Sequence, residues 1–318
     1  MAERNLLTPS DIYIPEYPEA VEFVNKQINI FWFPEEINVE KDVQDILVNL
    51  TESERHGVIT TLKLFTKYEL IVGDEYWAKV ATLFKKPACV SRMANCNGFM
   101  ELNVHAPFYS KINEALGLAS NEFYTQYTRD PVLQERIDML EKYAASDRVD
   151  EFLAALAFIE GVVLYSSFAY LKHFQSQGKN KILNIVRGIN FSARDEGLHS
   201  EASAWLYRTF HEENGIASNE EVVKDMARVV REHEHRIVDK IFEKGEIEGI
   251  TAVQMKHFVD SRINVVMRNL GFTNLYEVKY NPIGDWFYKG INDFTMNDFF
   301  SGQGREYKRD WNEGAFEW

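Results

Sequence analysis

The chain has 318 residues, 45% of them hydrophobic and 14% aromatic, which excludes a disordered chain or a small disulfide-stapled fold and leaves room for one large or two ordinary domains. A formal net charge of −14 argues against nucleic-acid phosphates and anionic membrane surfaces as partners. The two cysteines, Cys89 and Cys96, match neither a zinc motif nor a disulfide framework, and the first ten residues carry no apolar signal segment, so reduced thiols in a cytoplasm are expected.

Eight prolines and 17 glycines are scattered without a repeat or a linker, so one compact domain is the simpler expectation. Apolar residues at 3.6-residue spacing predict helices over 53–83, 92–116, 122–143, 147–175, 180–210, 219–243 and 252–269, while strand-like alternation is scarce. The class is all-α. Thr51-x-x-Glu54, Ser218-x-x-Glu221 and Thr251-x-x-Gln254 read as capping boxes that open three of these helices.

In the first predicted helix, Glu69 interrupts the apolar run Leu62 to Val72. In the second, Glu101 and His105 stand at i, i+4 on one face. The segment Phe152 to Leu171 is twenty residues long and apolar apart from Glu160, Ser166, Ser167 and small residues, which by length alone would span a membrane. An ionised carboxylate midway would be costly in lipid, and neither a second span nor a flanking Lys/Arg asymmetry accompanies it, so a core helix of a soluble bundle is expected. A carboxylate buried there must be protonated, paired with a cation or bound to a metal. The next helix carries Glu196-x-x-His199, again on one face. His233 and His235, two apart within Arg231 to Arg236, project from different sides of their helix and read as a solvated polar face.

Four helices therefore supply Glu69, Glu101 with His105, Glu160, and Glu196 with His199. One Glu from each of two helices and a Glu/His pair from each of the others is the inventory of a dinuclear carboxylate site in a four-helix bundle, with donors suited to iron or manganese. A lone Glu-x-x-His is usually a salt bridge or a cap; the repetition carries the weight here.

Ser192-Ala193-Arg194-Asp195-Glu196-Gly197-Leu198-His199 resembles the S-x-R-D-E-x-x-H signature of the radical-generating small subunit of class I ribonucleotide reductase. Phe31-Trp32-Phe33-Pro34-Glu35-Glu36 resembles its N-terminal F-W-x-x-E-E element, and Glu160-Gly161 with Ser167-Phe168-Ala169 resembles the helix between. The resemblance runs from about Phe31 to Phe300. It implies a ferritin-like helical homodimer with a dinuclear metal centre, Fe/Fe first, with Mn/Fe and Mn/Mn as alternatives. Such a protein oxidises a nearby tyrosine with dioxygen or a reduced-oxygen species, and the hole passes to a large subunit that reduces ribonucleotides to deoxyribonucleotides.

Carried over by position, Glu69, Glu101 and His105 would hold one metal, and Glu160, Glu196 and His199 the other. Tyr109, one turn beyond His105, would carry the radical. Asp195 would accept a hydrogen bond from His105 and meet the indole of Trp32, and the two would relay the electron. The implied organisation is an N-terminal extension over 1–30, a radical-generating domain over 31–300, and a tail over 301–318 that docks on the large subunit with Tyr307 as a relay. Two departures stand out: Glu69 occupies a position where the family most often has Asp, and Glu101-x-x-x-His105 replaces E-x-x-H. Pro107 lacks an N–H, and a π-type turn could absorb the extra residue. A ferritin-like oxidase or hydroxylase with its own substrate and a metal-storage bundle are the rival expectations; neither has a use for the aromatic tail.

Overall fold

The computed structural model describes residues 5–7, 15–85, 87–289 and 291. Tyr307 and the whole tail segment 301–318 lie outside the described residues. Among the described residues there is no strand; a lone antiparallel bridge joins Ile247 and Ile250.

Among the described residues the α-helices are, in order, α1 (Pro18–Asn29), α2 (Glu52–Ile71), α3 (Ala78–Leu83), α4 (Ala88–Met100), α5 (Ala106–Ala115), α6 (Asn121–Tyr124), α7 (Pro131–Ala144), α8 (Val149–Gly161), α9 (Tyr165–Lys172), α10 (Leu183–Asn214), α11 (Glu220–Ile241) and α12 (Ala252–Asn269). A further helical stretch covers 282–289. α1 falls within the segment expected to be only an extension; its Ala20, Val24 and Gln27 form a buried stripe against α4 and α10.

Two of the three expected capping boxes are present, at Thr51 with Glu54 and at Thr251 with Gln254. The third moves by one residue: Asn219, not Ser218, caps α11, its side chain accepting the Val222 N–H. The helix expected over 122–143 is split, because Pro131 cannot continue the preceding hydrogen-bond ladder and starts α7 afresh under an Asp130 cap. The helix expected over 147–175 is also split, at residues 162–164, where Val162 leaves the helical region at φ −134°. Every residue from Phe152 to Phe174 is buried, so the stretch long enough for a membrane is the centre of the core.

Helices α8 and α10 form the most extensive pair, and α12 packs across both. They meet at Gly161, where an added Cβ would stand 2.4 Å from Ser200 Oγ and from Val266 Cγ2. On the other side α2 runs along α5, and α11 closes the bundle against α2, α7 and α12. That position overturns the solvated reading of His233 and His235, although Glu232 and Arg236 beside them are exposed. α11 is lined on two sides, so residues two apart both meet protein. His233 is 3% exposed, and burial, with Arg136 and Arg236 nearby, holds it down to about 3. Glu234 is fully buried and accepts from Arg136 and from Ser166, while His235 lies 3.2 Å from Asp260.

Candidate metal centre

Helices α2, α8 and α10 bring Glu69, Glu160, Glu196 and His199 to one interior point, and the segment between α4 and α5 adds Glu101 and His105. That segment is a π turn over Glu101–His105, closed by the Ala106 N–H on the Glu101 carbonyl. The extra residue anticipated from the i, i+4 spacing and Pro107 is absorbed there, so Glu101 and His105 both point inward. A second π turn, Val72–Trp77, follows Glu69 and had no counterpart in the sequence expectations.

All six side chains are buried. Their ligand atoms form two overlapping sets, Glu69, Glu101, His105 and Glu196 in one and Glu101, Glu160, Glu196 and His199 in the other, each within 4.8 Å. Glu101 and Glu196 belong to both, so the arrangement differs from two separate triplets: one carboxylate from α10 and one from the π turn stand between the two positions. His105 Nδ1 lies 3.0 Å from Glu101 and 3.2 Å from Glu196; His199 Nδ1 lies 2.7 Å from Glu101 and 3.7 Å from Glu160.

The outer ring nitrogens settle which way the lone pairs face. His105 Nε2 is 3.2 Å from Asp195 Oδ2, and a carboxylate only accepts, so Nε2 carries the proton. Trp32 Nε1 donates to the same Oδ2 at 2.8 Å, and Gln27 Nε2 donates to Oδ1 at 3.2 Å. The Gln27 amide oxygen then faces His199 Nε2 at 3.2 Å, which must also be protonated. Each imidazole therefore turns its Nδ1 to the carboxylates, where a second proton or a metal cation can sit between ring and carboxylate; against burial, the glutamate charges raise both rings above the usual imidazole range.

Charge makes the same point. Burial, with the Glu101 charge beside them, drives Glu69 and Glu196 well above the usual carboxylate range. Burial pushes Glu101 up as well, but His105 and His199 outweigh it and hold Glu101 ionised, below the usual range. Burial pulls His199 down, yet Glu101 and Glu160 raise it to about 9. Both oxygens of Glu69 and Glu196, Oε2 of Glu160 and Nδ1 of His199 have no hydrogen-bond partner among the described residues, and no Lys or Arg there pairs with any of the four glutamates. Orphaned hard donors at this density fit divalent cations.

Tyr109 is fully buried and stacks on Phe65 at 4.2 Å between ring centroids, with Phe108 at 5.1 Å. Its hydroxyl has no hydrogen-bond partner among the described residues, and burial together with the Glu69 charge pushes its pKa well up. Trp32 is fully buried and lies parallel to the His105 ring, 6.1 Å away. Two residues of the site escaped the sequence reading. Gln27 sits on a helix that was not anticipated, although its place on the Ala20, Val24, Gln27 stripe is a usable signal. Trp77, whose indole N–H donates to Glu160 Oε1 at 2.6 Å, ends a π turn that displaces it from regular helical register.

An all-α bundle that converges four buried glutamates on two outwardly tethered histidines defines a class: helical proteins with a carboxylate–histidine centre able to hold two metal ions. Residues 10–282 match the family described as ribonucleotide reductase, small chain, and the chain belongs to that family as a small subunit of ribonucleoside-diphosphate reductase. It is 26% identical to a probable ribonucleoside-diphosphate reductase small subunit of invertebrate iridescent virus 3, covering 100% of this chain and 88% of that protein. It is also 26% identical to the ribonucleoside-diphosphate reductase subunit beta of Bacillus subtilis, over 90% of this chain and 88% of the other. The fold is that of a putative class I ribonucleotide reductase from Bacillus halodurans, with TM-score 0.78 and 23% identity over 86% of this chain and 100% of that one. Dimanganese(II)-NrdF from Streptococcus sanguinis superposes with TM-score 0.77 at 21% identity, over 89% and 99%.

Proposed function

We propose that the chain is the radical-generating subunit of a class I ribonucleotide reductase, holding two metal ions drawn from iron and manganese. Glu69, Glu101 and His105 would hold one ion, Glu160, Glu196 and His199 the other, with Glu101 and Glu196 placed to reach both. The observation that carries the reading is the pair of Nδ1 atoms turned, with four buried carboxylates, into an interior where no Lys or Arg pairs with any of them among the described residues. When bound, the ions supply the capacity to reduce an oxygen species at the expense of a nearby phenol. Glu69 in place of the family's usual Asp leaves the choice between iron and manganese to measurement, and a manganese pair is named for the S. sanguinis relative.

Tyr109 is the side chain that would lose the electron. Its raised pKa keeps it a neutral phenol, so a neutral radical there would require loss of an electron and of the Oη proton, both to the oxygen species being reduced, and the Phe65 and Phe108 rings exclude water from the resulting radical. The Trp32–Asp195–His105 hydrogen-bonded line would return an electron to the centre, and Tyr307 in the tail would continue it to the large subunit. Leu70 on α2 and Phe99 on α4 are large exposed apolar residues that a homodimer contact would cover. Free Cys89 and Cys96 fit a cytoplasmic setting. The oxidase alternative requires a substrate cavity at the centre; the 340 Å³ groove between α10 and α12 has none of the six candidate ligands in its lining.

Metal analysis by mass spectrometry, with low-temperature paramagnetic resonance after loading with iron, manganese or both, tests the reading. Two ions per chain and a tyrosyl signal are expected. Uptake of fewer than one ion per chain under all three loadings would overturn it.

A further inference from the structure

Trp77 belongs to none of the motifs that carry the family resemblance, yet it touches the centre directly. It is fully buried, donates its indole N–H to Glu160 Oε1 at 2.6 Å, and sets its ring edge-on to His199 at 5.7 Å. Glu160 Oε2 has no partner among the described residues. The two oxygens of this one glutamate are thus made unequal by a single neutral donor.

The backbone is built for that contact. Trp77 lies eight positions after Glu69, which in a regular α-helix would rotate it about 80° away from the Glu69 face. The π turn Val72–Trp77, closed by the Ala78 N–H on the Gly73 carbonyl, absorbs one residue and brings that offset to about 20°. Glu69 and Trp77 then face the same interior. Across the gap, α4 presents Gly98, where an added Cβ would stand 3.2 Å from the Trp77 Cβ, so the close approach of the indole depends on the missing side chain.

We propose that Trp77 is a positioning residue of the metal centre: its N–H holds Glu160 Oε1, the oxygen 3.7 Å from His199 Nδ1, and so fixes the orientation in which Glu160 meets the ion on the His199 side. The proposal rests on the metal-centre reading above. A donor on one oxygen of a ligating carboxylate restricts its orientation, and loss of such a partner typically weakens binding about 10- to 100-fold.

The test is calorimetric titration of metal-stripped protein with manganese(II), with the paramagnetic resonance spectrum of the bound ions as a second readout. In Trp77→Phe the ring stays and the donor goes: one of two sites should weaken about 10- to 100-fold with a changed spectrum. Trp77→His, which keeps an N–H, should recover part of that loss. Wild-type affinity and spectrum in Trp77→Phe, or equal losses in the Phe and His variants, would overturn the proposal, the second result meaning that only packing matters. Should the Phe variant fail to fold by circular dichroism, Gly98→Ala decides: it keeps the indole but displaces it, and a folded Gly98→Ala protein with unchanged affinity at both sites overturns the proposal. Failure of the wild-type protein to take up two ions would instead overturn the metal-centre reading.

Discussion

Replacing Glu234 by Leu strips the buried Arg136 of its counter-charge without touching the centre's six candidate ligands. Both groups are fully buried, Ser166 loses its acceptor in the same step, and two guanidinium nitrogens of Arg136 already lack partners among the described residues. Removing one member of a buried pair costs about 3–5 kcal/mol, because the remaining charge stays desolvated and unpaired. With 318 residues the unfolding entropy is about 0.7 kcal/mol per degree, so a loss of about 4 kcal/mol lowers the melting temperature by about 6 °C. The double variant Arg136→Met/Glu234→Leu removes both charges and should return to within about 1 kcal/mol of wild type. Differential scanning calorimetry at constant metal content and protein concentration reads both, since bound ions and association move the midpoint by mass action. A single variant within about 1 °C of wild type, or a double variant as unstable as the single, would refute the reasoning.

Tyr109→Phe is expected to bind two ions and lose the tyrosyl resonance signal; a surviving signal would place the radical elsewhere. Removing residues 301–318 should leave metal uptake and the radical intact while abolishing nucleotide reduction with the large subunit, and full activity after truncation would refute the tail's role. Metal-stripped protein should lose stability between pH 6.5 and 9: His199, raised from 6.5 to about 9, contributes fully below 6.5 and loses its contribution as pH climbs, on the order of 3 kcal/mol, or about 4 °C. Glu69 and Glu196, also raised, act in the same direction, as protons they bind in the folded state are given up. Metal uptake should strengthen over that window as ions displace the protons. A melting temperature of the stripped protein that rises from pH 6.5 to 9 would contradict this.

Glu69 and Glu160 were legible as charges set in apolar helical runs, where burial demands a partner, and Glu101 with His105 and Glu196 with His199 as pairs on one helix face. Spacing alone did not reveal that Glu101 and Glu196 stand between the two positions, since sharing depends on how α10 and the π turn meet. Gln27 and Trp77 were hidden for different reasons. A glutamine 168 positions from the aspartate it bonds has no local signature, and a tryptophan in a helix reads as core until the π turn that redirects it is known. The turn at Glu101–His105 could be anticipated from an over-long ligand spacing next to Pro107; no such pair brackets Val72–Trp77. His233 and His235 were misjudged because one charged stretch on α11 is enclosed by α7 on one side and α12 on the other, which helical periodicity within α11 cannot convey.

The two π turns at the metal centre bear on how such a bundle can vary in length. Each confines one surplus residue to a five- or six-residue window and returns the helix to regular hydrogen bonding on either side. Losing one residue inside Glu101–His105 would restore the three-residue spacing of Glu and His while leaving α4 and α5 in register with their neighbours. The interior helices can therefore gain or shed single residues at the wall of the metal site itself, where a changed spacing alters the donor geometry and the core contacts beyond it are untouched.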